Sequence, residues 1–403
     1  MKILRIIARL NVGGPARHVV WLTEKLNNEE FESVLIAGTV PKGEESMNYV
    51  AADHGVTPIF IEEMSRELSP KDAISLLKIF REIRRYKPDI IHTHTAKAGT
   101  VGRTAALLYK LVTPGAGNVR IVHTFHGHVF HSYYGRFKTG IFIAIEKFLA
   151  RFATDKIITI SPQQFHEIHD EVGIGRAEQF AIVPLGIDVG VFYNSNESSH
   201  AIREQVGVSD AEVLIGFVGR LTEIKDISLY LKVAAEVYKN DPSSSIRFAI
   251  VGDGHLREKL EAEARELGIG ERVTFLGNRT DIENVYSALD IVALTSLNEG
   301  TPLSLIEAMA AHRPMISTIV GGVRDLLGEI VEQKDGFGVY ERGIGIPGRS
   351  ISDYTKGLLY LAENGRLRKS LAEEGRAFVE AKYSKERLVD DIVEVYRSLT
   401  EKV

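Results

Sequence analysis

Short runs of β-branched and aliphatic residues recur along this 403-residue chain, each followed by a longer stretch whose apolar positions return every three or four residues. The runs fall at 3–7, 33–37, 90–93, 120–124 and 156–160, and again at 213–218, 246–251, 272–275, 291–295 and 315–318. An unbroken apolar run of this length is a strand covered on both faces, and strands alternating with helices assemble into parallel, doubly wound sheets. The pattern restarts near residue 212, after a Pro184-Leu-Gly turn and the polar stretch 194–200. Two α/β domains are therefore expected, 1–195 and 196–380, with a last helix in 381–403 after the break at Tyr383-Ser384 that crosses back to the first. Open sheets of this kind bind ligands at strand carboxyl ends, so two such domains facing one another would enclose a ligand in a central cleft.

Composition narrows the class. Hydrophobic content of 44% and charged content of 26% describe a globular protein, and no apolar run is long enough to span a bilayer. The first residues are broken by Lys2, Arg5 and Arg9, so they read as a strand and not as a signal peptide; a cytoplasmic location is expected. The absence of cysteine excludes disulfides, thiolate metal sites and cysteine nucleophiles. Net charge is +3 over residues 1–195 and −8 over the remainder. The basic first half is compatible with an anionic or membrane-facing partner, whereas no basic run or signature points to nucleic acid.

The densest chemistry lies at 298–310. The run 291–295 leads into Glu299-Gly300-Thr301-Pro302, and a helix opens at Leu303-Ser304 with Glu307 on its second turn. A helix start offers unpaired N–H groups and partial positive charge to a phosphate, while carboxylates accept hydrogen bonds from sugar or ribose hydroxyls. Earlier, a strand ends at Gly219 and is followed by Arg220 and Lys225, a cation pair suited to a diphosphate. Together these predict a nucleotide-sugar pocket. Gly252 and Gly254 also follow a strand, but Arg257 stands where a dinucleotide fingerprint has its third glycine, so they read as a turn on the rim. In the first domain Gly13 and Gly14 open a helix and allow close backbone approach to an anion. Histidines gather at two strand ends, His92 and His94, then His123, His126 and His128. Metal binding is weighed there, but no carboxylate has ligand spacing, and alternation along a strand sends neighbouring rings to opposite faces; no metal is expected. His126, where the strand breaks at Gly127, is read as meeting a sugar hydroxyl, and His92, His94 and His123 as core or capping groups. The segment 132–152 mixes aromatics with cations. It fits an interfacial amphipathic helix, and better an ordinary core-facing helix with basic ends.

Gly219-Arg220-Leu-x-x-x-Lys225, Glu299-x(7)-Glu307 and Val320-Gly321-Gly322-Val-x-Asp325, in this order, resemble the retaining glycosyltransferases of the family-4 type, whose fold is GT-B. The resemblance runs over nearly the whole chain. It implies that Arg220 and Lys225 bind the donor diphosphate, with backbone at Gly300, Thr301, Pro302, Leu303 and Ser304 meeting the phosphates. Glu307 would hold the ribose, Glu299 and His126 the donor sugar, and Asn278, Arg279 and Thr280 the base edge. Gly13, Gly14 and Gly219 would line the diphosphate or the acceptor. No Asp-x-Asp motif is present, so no cofactor or metal is implied. The histidine-rich stretches resemble bacterial enzymes of surface-polysaccharide assembly. From these follow a UDP-sugar donor, a glycan or polyprenyl-diphosphate-linked acceptor, and peripheral contact of 132–152 with the cytoplasmic membrane face. A UDP-sugar epimerase of the same fold and a silent nucleotide-sugar-binding scaffold are the rival readings. Two positions depart from the family pattern: Asp325, preceded by Arg324, where glutamate is frequent, and Asp226 where glycine is frequent.

Overall fold

The computed structural model describes residues 1–11, 13–40, 46–65, 70–127, 136–193 and 196–400. His128 and residues 132–135 of the expected interfacial segment lie outside that set. The chain divides into two compact units, Met1–Gly186 with Lys385–Val403, and Ile187–Ser384.

The first unit holds seven parallel strands: β1 (Lys2–Ile7), β2 (Glu32–Gly38), β3 (Ile59–Ile61), β4 (Ile90–His94), β5 (Arg120–Thr124), β6 (Lys156–Thr159) and β7 (Phe180–Ile182). Their order is β3-β2-β1-β4-β5-β6-β7, so the winding reverses between β1 and β4. Successive side chains of a strand point to opposite faces. Leu4, Ile6, Ile91 and Ile121 accordingly pack with Ile79 and Ile83 of the helix Asp72–Tyr86, while Ile3, Ile90 and Val122 meet Leu388, Ile392 and Tyr396. The last three lie on the carboxy-terminal helix Lys385–Thr400, which covers this second face of the first unit's sheet.

The second unit carries β8 (Val213–Val218), β9 (Ile246–Val251), β10 (Val273–Gly277), β11 (Ile291–Leu294), β12 (Met315–Thr318), β13 (Ile330–Gln333), β14 (Gly338–Tyr340) and β15 (Gly343–Ile346). The order is β10-β9-β8-β11-β12-β15-β14-β13, with β14 antiparallel to both its neighbours and the reversal between β8 and β11. The unit boundary falls at Gly186, not at residue 195, and the polar stretch expected as a linker enters a helix, Asn196–Val206. Ile187 belongs with the second unit because its N–H bonds the Tyr383 carbonyl.

Candidate active site

In the second unit the carboxyl ends of the strands beside the winding reversal are built from glycine and small polar residues. Gly219 N–H bonds the Val251 carbonyl and Gly252 N–H the Gly277 carbonyl, tying the ends of β8, β9 and β10 into one ledge. A Cβ at Gly252 would fall on the Gly219 carbonyl, so the two loops touch backbone to backbone. From this ledge Arg220 extends into solvent, and Lys225 lies in the short turn that follows.

Lys225 Nζ sits 2.5 Å from Glu299 Oε1, which also accepts from Ser296 Oγ at 2.6 Å. The Lys225 main chain is fixed as well, its carbonyl accepting from Thr295 Oγ1 at 3.1 Å. Beneath Glu299 lie Gly321 and Gly322. Gly322 N–H bonds the Glu299 carbonyl, and a Cβ on either glycine would overlap the carbonyl oxygen of Glu299 or Gly300. The next helix, Leu303–Ala310, starts at Pro302 with no side-chain cap, and its first turn contains no acidic residue. Thr301 Oγ1 beside it is buried without a partner. On the second turn, Glu307 accepts a hydrogen bond from the buried Tyr286 hydroxyl at 3.0 Å. Burial, then the Glu307 charge, pushes the Tyr286 hydroxyl well above its usual range and keeps it a donor. The ensemble sets a cation, two oriented carboxylates and an uncapped helix start side by side, which suits an anionic, hydroxyl-rich ligand.

Arg279, expected at the base edge, lies in the loop after β10. Its guanidinium forks onto Asp281 at 2.8 and 2.6 Å and reaches Gln205 at 3.4 Å, so its side chain is engaged within the unit. Asn278 and Thr280 flank it just beyond Gly277, the left-handed end of β10.

In the first unit, Gly13 and Gly14 open the helix Gly14–Lys25 after β1, and Gly13 N–H points to Met47 Sδ at 3.4 Å. The expectation that neighbouring rings point to opposite faces fails for His92 and His94, which are two residues apart and therefore share a face of β4, their rings 4.1 Å apart. His126 turns its ring inward, with Nε2 2.9 Å from His94 Nδ1 and Nδ1 enclosed without a partner. His18, from the helix Gly14–Lys25, packs edge-on to His126 with ring centres 4.8 Å apart. Burial pushes His126 down to about 3, and burial first, then neighbouring imidazoles and Arg5, holds His18 and His94 well below the usual range. All three rings are neutral at pH 7. His18 could not be found from spacing, because a fold contact and no local pattern brings it there.

Among the described residues these three rings are the one group whose nitrogens could share a metal ion, lying within 4.8 Å of one another. The group has no carboxylate, Arg5 lies nearby, and His94 Nε2 and His126 Nδ1 have no hydrogen-bond partner.

Two Rossmann-like α/β units, one with a cation-and-carboxylate site at a helix start, define a glycosyltransferase of the GT-B fold. The comparisons agree. Residues 12–191 match the model of Glycosyltransferase Family 4, and residues 198–378 match that of Glycosyl transferases group 1. The two halves of the chain thus supply the two domains of a glycosyltransferase. It is 28% identical over 316 residues to an Escherichia coli UDP-Gal:alpha-D-GlcNAc-diphosphoundecaprenol alpha-1,3-galactosyltransferase, covering 78% of this chain and 77% of that one. It is 31% identical over 229 residues to the D-inositol 3-phosphate glycosyltransferase of Corynebacterium urealyticum, covering 55% of this chain and 51% of the relative. The crystal structure of Anabaena HepE in complex with UDP superposes with a TM-score of 0.79 at 20% identity, over 99% of this chain and all of that one.

Proposed function

We propose that this glycosyltransferase is a retaining, metal-independent enzyme. It moves a hexose or N-acetylhexosamine from a UDP-sugar to a glycan or polyprenyl-diphosphate-linked acceptor in surface-polysaccharide synthesis. The contact between Lys225 and Glu299 at the foot of the helix Leu303–Ala310 carries this reading. Cleavage of a sugar–diphosphate bond builds negative charge on the leaving group and oxocarbenium character on the sugar. Lys225, Arg220 and the N–H groups at Leu303 and Ser304 supply preorganised positive charge where the diphosphate departs. As the diphosphate takes Lys225, Glu299 turns to the sugar hydroxyls, while Glu307, oriented by Tyr286, takes the ribose. The departing phosphate assists deprotonation of the acceptor on the same face, with no protein nucleophile.

The UDP-sugar donor and lipid-linked acceptor are drawn from the activity in the Escherichia coli relative's name and from UDP in the HepE crystals. Contact with the cytoplasmic face of the membrane is supported by the helix Arg136–Phe152. There Ile141, Phe148 and Phe152 are exposed beside the exposed cations Lys147 and Arg151. Among the described residues no helix is long and apolar enough to cross a membrane.

Lys225→Ala should lower kcat/KM by roughly 30- to 900-fold, the equivalent of about 2–4 kcal/mol of lost charge stabilisation. Near-normal kcat/KM would remove Lys225 from this role. The same assay separates the rivals. UDP release that depends on the acceptor marks transfer, whereas C-epimerised UDP-sugar marks an epimerase, and binding of UDP with no turnover marks a scaffold.

A further inference from the structure

Arg5, on β1, is fully buried and has no carboxylate partner among the described residues. Its guanidinium meets Ser33 Oγ and, at 3.4 Å, the hydroxyl of Tyr396 on the carboxy-terminal helix. That hydroxyl lies 2.6 Å from His92 Nδ1, and His92 Nε2 lies 2.7 Å from Thr124 Oγ1. The direction of these bonds follows from the donor inventory. A guanidinium only donates, so the Tyr396 oxygen accepts from Arg5 and offers its single proton to His92 Nδ1. His92 therefore keeps its own proton on Nε2 and donates to Thr124. Its ring is the surface on which His94 rests. His94 and His126 are both neutral, so one proton lies between His94 Nδ1 and His126 Nε2. With both rings in the Nε2–H form, which neutral imidazole favours, His126 donates and His94 accepts. The edge-on ring of His18 closes the stack.

We propose that this file is a positioning device. Tyr396 and His94 are positioning residues that lock the ring of His126 and thereby fix the main chain at the carboxyl end of β5. The proposal rests on the function proposed above and on the sequence reading of His126 as a residue that the transfer uses. It gives the carboxy-terminal helix a task beyond packing.

The test combines ring spectra with kinetics on the full chain. In protein labelled with ring-15N histidine, His92 should carry its proton on Nε2 alone, and Tyr396→Phe should abolish that bias. Tyr396→Phe and His94→Ala should each lower kcat about tenfold, with the donor KM and UDP affinity unchanged. His94→Asn, whose amide reaches the place of Nδ1, should recover most of the loss. The proposal is overturned by an Nδ1–H tautomer at His92, by His94→Asn no better than His94→Ala, or by variants that lose thermal stability alone. Stoichiometric Zn2+ or Co2+ binding abolished by His18→Ala would overturn it too, making the cluster a metal site. Absence of transfer with every donor would instead remove the proposed function, and the ring spectra would still decide the file.

Discussion

Gly321 is where a single atom decides the geometry of the site. Its φ of +51° is left-handed, and a Cβ there would land on the Glu299 carbonyl oxygen. Gly321→Ala therefore meets backbone strain and a steric clash together, each moving the loop that carries Glu299 away from Lys225. Strain of this kind costs about 1–3 kcal/mol, and relief by shifting the loop should weaken UDP binding at least tenfold. Thermal shift with UDP against the wild-type protein measures this, and an unchanged UDP shift would show that the glycine is there for the turn alone. The Gly-Gly pair was legible in the sequence as a family signature, but the contact that requires it, backbone on backbone across a strand end, was not. Asp226 teaches the converse. It occupies a left-handed position, φ 44°, where glycine is the frequent residue, and its carboxylate accepts from Arg349 at 2.8 and 2.5 Å. That ion pair joins residues 123 apart in sequence, beyond the reach of any local pattern.

At the scale of elements, the central strands were legible because burial on both faces writes long apolar runs. Arg120–Thr124, Val213–Val218, Ile246–Val251 and Met315–Thr318 end where the sequence pattern ends. Strands at and towards the sheet edges escaped notice for physical reasons. Ile59–Ile61 and Phe180–Ile182 are three residues long, Ile330–Gln333 is exposed throughout, and Gly343–Ile346 alternates glycine with isoleucine like a loop. The helix Arg136–Phe152 was ambiguous for a different reason, since it carries one buried face and one exposed face of aromatics and cations. Glu146, Leu149 and Ala150 face inward, with Glu146 paired to the buried Arg103, while Phe148 and Phe152 face outward with Lys147 and Arg151. The outward stripe predicts binding to vesicles rich in anionic lipid, weakened by salt. In flotation assays Phe148→Ser with Phe152→Ser should leave most of the protein unbound, and wild-type protein that fails to float would remove the membrane contact.

For the molecule as a whole, ionisable groups are distributed unevenly between the units, and acid should expose this. His18, His92, His94, His123 and His126 all belong to the first unit, and burial depresses every one of them. A histidine that is neutral when folded and titrates normally when unfolded contributes stability above the unfolded value near 6.5. That stability is lost as pH falls through 6.5 towards the folded value, which for His126 is about 3. At pH 5.5 each such ring that must stay neutral inside the fold costs on the order of 1 kcal/mol relative to neutral pH, and all five act in the same direction. In the second unit His312 is only partly buried, and burial moves it the same way more weakly. The first unit should therefore open before the second on acidification. Hydrogen exchange followed by mass spectrometry between pH 7.5 and 5 measures the two separately. Protection should collapse in β1, β4, β5 and the helix Lys385–Thr400 while β8, β9 and β11 remain protected, and UDP should not rescue the first set. Simultaneous loss in both units would show that the five histidines do not govern acid stability.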